Sequence, residues 1–342
     1  MDYNRTAEKA LKTYSVKNKS IEFVSDNDNT VYKVYDNEKY YCLRLHTAKE
    51  RDAVFGEKAV INSELEWLAA IARDTDITVP EPYKNINCEY VTMIDGICCS
   101  LTKWIEGRPS GFDKPDGYIK ALTASENMDG FDDKEDALNF IKVLGKLHKQ
   151  SSEWIPPAGF KRPEFNLNDD NITNIFADLD DLKDELYDKN NIETIKLAGR
   201  KAFEKIKTIE KNNMTWGLAH NDYAPANYIV HNHNICPIDF ADCGYNYYLA
   251  DLALALYFVA PSKREFFFGL YSEYFPLPDN YVSLTETLLI IRYLQTMSSY
   301  IKRKDKDEWL PKDINLWGTG EFKHYLNGEP FLFDKPAFYQ GQ

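Results

Sequence analysis

The sequence predicts an α+β fold of two lobes: a small β-rich N-terminal lobe with one main helix, and a larger, mostly helical C-terminal lobe. Three observations carry this. Between residues 20 and 105, β-branched and aromatic residues recur in short runs separated by polar turns, the pattern of strands and hairpins. One amphipathic stretch, 57–74, interrupts those runs. After Glu106-Gly107-Arg108-Pro109 the composition changes, and helical periodicity dominates. A chain of 342 residues has a prior of about two domains. The boundary is expected at 103/104, with an N-lobe over 1–103 and a C-lobe over 104–342.

The elements follow in order. Residues 4–14 read as a short helix. The runs 21–24, 30–35 and 40–46 read as strands, separated by the turns Ser25-Asp26-Asn27-Asp28-Asn29 and Asp36-Asn37-Glu38-Lys39. In the helix over 57–74, Ile61, Leu65, Leu68 and Ile71 share one face. Val79-Pro80-Glu81-Pro82 ends it, because a proline pushes the preceding residue out of helical geometry. Runs 88–94 and 96–105 form a second hairpin across Asp95-Gly96. In the C-lobe, 136–149 is an amphipathic helix, and 196–211 and 283–302 are helical. The acidic stretch 151–195 reads as a loop-rich lid, because long loops in compact domains are often functional. With few apolar residues, it is expected at the surface or over the cleft mouth.

Composition excludes several classes of function. The formal net charge of −13 opposes a nucleic-acid partner, which needs a basic face, and favours a cationic one. The longest apolar stretch, 248–260, carries Asp251 and falls short of the ~20 residues of a membrane span. The polar first twenty residues do not read as a signal peptide. The six cysteines show no ligand-like spacing and are expected to be buried thiols of a cytoplasmic protein.

One segment carries chemistry: His220-Asn221-Asp222-Tyr223-Ala224-Pro225-Ala226-Asn227, followed by Ile238-Asp239-Phe240-Ala241-Asp242. Short β-like runs flank the loop and bring Asp222, Asn227 and Asp239 near one another. An Asp five residues before an Asn, with a second Asp on the return strand, suits phosphoryl transfer. One carboxylate takes a hydroxyl proton, while oxygen ligands hold Mg²⁺, a hard cation.

This arrangement resembles the aminoglycoside phosphotransferase / choline kinase-like family, a branch of the protein-kinase-like fold. The resemblance extends along nearly the whole chain, through Asn29-Thr30-Val31-Tyr32-Lys33-Val34, Tyr41-Cys42-Leu43-Arg44-Leu45-His46, Ser63-Glu64-Leu65-Glu66-Trp67-Leu68, Leu144-Gly145-Lys146-Leu147-His148 and Tyr248-Leu249-Ala250-Asp251-Leu252-Ala253. It implies a small-molecule kinase that transfers the γ-phosphoryl group of ATP or GTP to a hydroxyl of an aminoglycoside, amino alcohol or similar metabolite. Asp222 would be the base, and Asn227 and Asp239 the Mg²⁺ ligands. Asn29 and Arg44 would face the nucleotide phosphates, with Glu64 pairing Arg44. Lys103, Trp104 and Ile105 would be the interlobe hinge whose backbone holds the base. The expected partner is a hydroxyl-bearing small molecule, cationic where the acidic charge balance selects it, with no nucleic acid and no membrane, and the protein is expected to be a monomer or homodimer.

The turn at 25–29 lacks the glycine that lets backbone approach phosphate closely. That feature motivates an alternative reading, a catalytically weak kinase-fold nucleotide-binding or regulatory protein. Arg44 stands where many kinases have Lys, and a guanidinium can hold phosphate through two parallel hydrogen bonds. His220 is expected to be structural and Asp251 to pack near the catalytic loop. His231 and His233 read as a solvated hairpin turn. Asp242 reads equally as a turn residue or a carboxylate facing the acceptor.

Overall fold

The structure is a computed structural model. It describes residues 3–16, 20–26, 29–47, 53–109, 134–165, 168–182, 185–257, 259 and 261–333. Residues 27 and 28 of the glycine-free turn lie outside the described residues.

In the N-lobe, helix α1 (Asn4–Thr13) precedes strands β1 (Ser20–Asp26), β2 (Thr30–Tyr35) and β3 (Tyr40–Leu45). Helix α2 (Lys58–Asp74), β4 (Pro82–Tyr83), β5 (Val91–Ile94) and β6 (Ile97–Lys103) follow. The strands form one antiparallel sheet in the order β1-β2-β3-β6-β4, with β5 also paired to β6. Strand alternation decides what each face carries. Tyr32, Val34, Leu43 and Leu45 pack with Ala7, Ala10 and Leu11 of α1. The intervening Arg44 therefore projects from the opposite face, where it meets α2. Asp95 and Gly96 both have positive φ (50° and 82°), as a two-residue hairpin turn requires. Of the six free thiols, Cys98, Cys99, Cys236 and Cys243 are buried as expected, whereas Cys42 is half-buried and Cys88 is exposed.

β6 ends at Lys103, and Gly107 turns the chain into β7 (Arg108–Pro109), which pairs with β9 of the C-lobe. Gly107 has φ +149°, and a Cβ there would collide with the Val230 carbonyl oxygen. Next come α3 (Lys134–Glu153), α4 (Asp169–Asp180), α5 (Lys189–Ile206) and β8 (Trp216–Ala219). The hairpin β9 (Tyr228–His231) and β10 (Asn234–Pro237) is followed by β11 (Gly244–Tyr247), which pairs with β8. Helices α6 (Tyr248–Tyr257), α7 (Pro261–Ser272), α8 (Tyr281–Ile301), α9 (Leu310–Thr319) and α10 (Glu321–Asn327) complete the order. None of the described helices is long and apolar enough to cross a membrane. Asn232 and His233 both have positive φ, so the His231/His233 pair is the hairpin turn expected of it.

One apolar cluster joins the lobes. Ile61, Leu65, Leu68 and Ile71 of α2 pack with Phe140, Leu144 and Leu147 of α3 and with Phe240. This burial gives the interlobe arrangement a hydrophobic basis.

The structure corrects the reading of 151–195. An Asn168 capping box starts α4, whose Ile172, Ile175, Phe176 and Leu179 are buried. Those positions are i, i+3, i+4 and i+7, one stripe of a helix. With Tyr187, Ile192 and Ile195 they form a second core against α8, α9 and α10. The segment is poor in apolar residues overall, but it places them at helical spacing, so it is a core element rather than a structureless lid. α5 begins seven residues earlier than expected (189 rather than 196), where Asp188 accepts a hydrogen bond from the Asn190 amide.

Candidate active site

β8 delivers the chain to the 220–227 loop, and the β9–β10 hairpin returns it to Asp239. The Ile238 amide donates to the Asn227 carbonyl at 3.0 Å, which ties loop and return strand together. The Asn227 Nδ2 donates to Asp222 Oδ2 at 2.6 Å and to the Asp222 carbonyl at 2.9 Å. The Asn227 side-chain nitrogen is thus committed to Asp222, which leaves Oδ1 as its free acceptor. Asp239 has φ 57° and ψ 60°, a left-handed conformation uncommon outside glycine. Strain of this kind clusters at functional sites. It aims the Asp239 carboxylate towards Arg44, whose Nη2 lies 3.8 Å from Oδ1.

Arg44 Nη1 donates to Glu64 Oε1 at 3.1 Å, and Glu64 is 3% exposed. Burial disfavours the Arg44 cation, but Glu64 and Asp239 outweigh that effect and hold it above its ordinary value. Arg44, Glu64 and Asp239 thus form one chain of charge across the cleft. Asn29 stands at the entrance of β2 and makes no hydrogen bond or ion pair among the described residues. Its neighbour Thr30 donates its hydroxyl to Asp26 at 2.6 Å. At the hinge, the Lys103 amide donates to the Glu81 carbonyl and the Trp104 amide to the Tyr40 carbonyl. Of these three amides, Ile105's makes no backbone hydrogen bond among the described residues. Lys33 Nζ lies 4.7 Å from the Trp104 ring and 3.6 Å from Glu106.

A set of buried groups holds the catalytic loop. Asp251, 1% exposed, accepts the His220 and Asn221 amides, both at 2.7 Å. Burial would raise its pKa, but hydrogen bonding with His148 and His220 outweighs this and holds it below the ordinary value. Burial pushes the His148 pKa down. The neutral ring donates from Nε2 towards Asp251 at 3.4 Å and accepts from the Tyr271 hydroxyl at 2.6 Å. His220 Nε2 donates to the Ile238 carbonyl, and its Nδ1 is buried without a partner among the described residues. His220 and Asp251 are thus structural, as the sequence implies. Asn221 takes φ 65° and donates to the Asp242 and Gly244 carbonyls.

Sequence reasoning misses Arg162 and Arg292. The buried Arg162 donates to the carbonyls of Cys243, Ala241 and Val60, bracing the segment after Asp239 against the start of α2. Arg292 on α8 lies 3.6 Å from Asp222 Oδ1. The two oxygens of Asp222 thus face two ways: Oδ2 to Asn227, Oδ1 to Arg292 and a pocket of about 190 Å³. Arg292, Tyr293, Tyr300, Asp313 and Trp317 line that pocket. Nothing local in the sequence marks these residues, because α8 and α9 reach Asp222 only through long-range packing.

Residues 163–165, 171, 174, 175 and 178 of the expected acceptor wall line a different pocket, with Gln295, Ser298 and Lys302 of α8. The lining of the pocket beside Asp222 comes from residues 222–317 and includes none of 151–195, nor Asp242. Asp169 instead pairs with Lys207 at an exposed surface. Where a carboxylate besides Asp222 faces the pocket, it is Asp313.

A profile of the phosphotransferase enzyme family matches residues 20–281. The amicoumacin kinase of Bacillus subtilis (strain 168) is 22% identical over 259 residues, covering 72% of this chain and 66% of that protein, just under two thirds of its length. Among solved structures, a microcompartment-associated aminopropanol kinase superposes with a TM-score of 0.70 at 23% identity, over 95% of this chain and 98% of that one. An amicoumacin kinase in complex with AMP-PNP, Ca²⁺ and Ami gives a TM-score of 0.67 at 17% identity, over 99% and 97%. A spectinomycin phosphotransferase gives 0.59 at 15%, over 95% and 94%. These structural likenesses show a kinase-like α+β fold. With a family match over most of its length, the chain belongs to the phosphotransferase enzyme family.

Proposed function

We propose that the protein transfers the γ-phosphoryl group of ATP or GTP to a hydroxyl of a small molecule. The observation that carries this reading is the two-way placement of Asp222, with Asn227 on one oxygen and Arg292 and a small pocket on the other. Solved relatives hold AMP-PNP, ADP and GDP, which supports a nucleotide co-substrate here. The N-lobe, through residue 103, would cover the nucleotide, with Arg44 on its phosphates and Ile105 at its base.

The acceptor hydroxyl would lie against Asp222 Oδ1. Its oxygen attacks the γ-phosphorus, the bond from that phosphorus to the bridging oxygen breaks, and the nucleoside diphosphate leaves. The hydroxyl proton passes to Asp222. The donor set of one carboxylate and one amide oxygen fits a hard divalent cation that completes its shell with phosphates and water. Asn227 and Asp239 would hold Mg²⁺, which supplies charge neutralisation on the phosphates when bound. Glu64 keeps Arg44 extended into the cleft, and the buried Asp251 keeps Asp222 in place.

Asp222→Asn tests the reading. The Asp222–Arg292 pair is partly exposed, so its loss changes stability by ~0–1 kcal/mol. The amide cannot take the proton, and turnover should fall about 10²–10⁴-fold. A variant within a few-fold of wild type would remove Asp222 from the base role.

A further inference from the structure

The pocket on the Oδ1 side of Asp222 holds two opposite charges that do not neutralise each other. Arg292, Tyr293 and Tyr300 fall at i, i+1 and i+8 of α8, and so share a face. Asp313 and Trp317 are i, i+4 on α9. All five line the pocket. Arg292 and Asp313 form no ion pair with each other. The cation nearest Asp313 in effect is the neighbouring Lys312, and Asp313 makes no hydrogen bond among the described residues. Burial raises its pKa to about 6. Arg292 has Asp222 as a partner 3.6 Å away, so the unmet groups are Asp313 and Trp317, whose indole N–H is buried with no acceptor among the described residues. Half-buried charges and buried donors without partners are costly, and a ligand that satisfies them gains by doing so.

We propose that the acceptor is a small hydroxylated zwitterion, its carboxylate on Arg292 and its ammonium group on Asp313, with the hydroxyl on Asp222. Three features favour this over a plain amine. A guanidinium beside the acceptor hydroxyl repels an ammonium group but pairs with a carboxylate through two parallel hydrogen bonds. Tyr300 lies within electrostatic reach of both Asp313 and Arg292, so the two charges flank one aromatic wall. Such a wall also suits an ammonium group. Finally, a pocket of about 190 Å³ has room for an amino-acid-sized acceptor. The inference deepens the kinase reading and rests on it for the role of Asp222.

The test uses two matched sets of probes with the full chain. L-serine is compared with ethanolamine, which lacks the carboxylate, and with 3-hydroxypropanoate, which lacks the amine. L-homoserine is compared in the same way with 3-aminopropan-1-ol and 4-hydroxybutanoate. Calorimetric binding in the presence of Mg²⁺ and ADP is measured beside turnover with ATP or GTP. One zwitterion should bind at least tenfold tighter than both of its truncated forms. Arg292→Gln should remove its advantage over the amine, and Asp313→Asn its advantage over the acid. If both amines bind as well as their zwitterions, or neither zwitterion binds, the inference is overturned. Binding is read without turnover, so it is separable from the kinase reading. The kinase reading falls instead if an acceptor binds but none is phosphorylated with ATP or GTP, and the base role of Asp222 falls if turnover is equal with Asp222→Asn.

Discussion

Replacing Asp251 by Asn should loosen the catalytic loop without touching any group that meets substrate. The carboxylate accepts two main-chain amides, His220 on Oδ2 and Asn221 on Oδ1, both at 2.7 Å. An asparagine side chain has one acceptor oxygen. Whichever amide it serves, its own NH₂ faces the other, donor against donor. A buried donor left unmatched costs ~1–3 kcal/mol, and a bond to a charged acceptor is worth ~1.5–3 kcal/mol. The expected loss is therefore ~2–5 kcal/mol, a large part of the ~5–15 kcal/mol that stabilises a typical domain. Urea denaturation measures the loss. Hydrogen exchange locates it, because the His220 and Asn221 amides should exchange faster than amides of the α2–α3 core. Turnover should fall with them, since Asp222 is the next residue. The Asp251 pKa is held below its ordinary value in the folded protein, so its stabilisation is complete above the usual carboxylate range and is lost as pH falls through the folded value. Wild type should therefore destabilise more steeply than Asp251→Asn at acid pH. Unchanged exchange at 220–221, with stability within about 1 kcal/mol of wild type, would refute the account of Asp251 as the anchor of this loop.

Asp239→Asn should weaken Mg²⁺-dependent nucleotide binding more than Asn227→Ala does, because a carboxylate supplies charge and an amide only a dipole; asparagine also tolerates the left-handed backbone at 239. Nucleotide titrations with and without Mg²⁺ measure this, and equal losses in the two variants would argue against the assignment. Glu321 is 3% exposed, its Oε2 has no partner among the described residues, and burial raises its pKa to about 7. A carboxyl whose folded pKa is raised stays protonated while the unfolded chain ionises, so wild type loses stability as pH rises from about 4.5 to 7. Glu321→Gln should remove that slope and gain about 3 kcal/mol above pH 7, read by urea midpoints at pH 5 and 8; parallel pH profiles would count against it.

The elements of the N-lobe and the catalytic loop are legible in the chain because their causes are local. Alternation in β2 and β3 sends Tyr32, Val34, Leu43 and Leu45 to one face, and so commits Arg44 to the other. The offset between Asp222 and Asn227 is enough to draw those two side chains together, and the hairpin brings Ile238, next to Asp239, back to the Asn227 carbonyl. Reading 151–195 as a surface lid fails for a different reason. Composition averages over a segment, whereas burial follows spacing, and Ile172, Ile175, Phe176 and Leu179 occupy a single helical stripe. The hinge is visible as a break in composition, but the sheet's hydrogen bonds determine that Ile105 has the amide left over. Arg162, Arg292 and Asp313 carry no local signal at all. Arg162 finds its three carbonyls about a hundred residues before it in α2 and some eighty after it in the segment after Asp239. Arg292 lies seventy residues beyond Asp222. Their partners come from helices and loops that meet only when the two cores close. Periodicity specifies which face of an element is buried, and long-range packing specifies which charged groups that burial brings to the acceptor pocket.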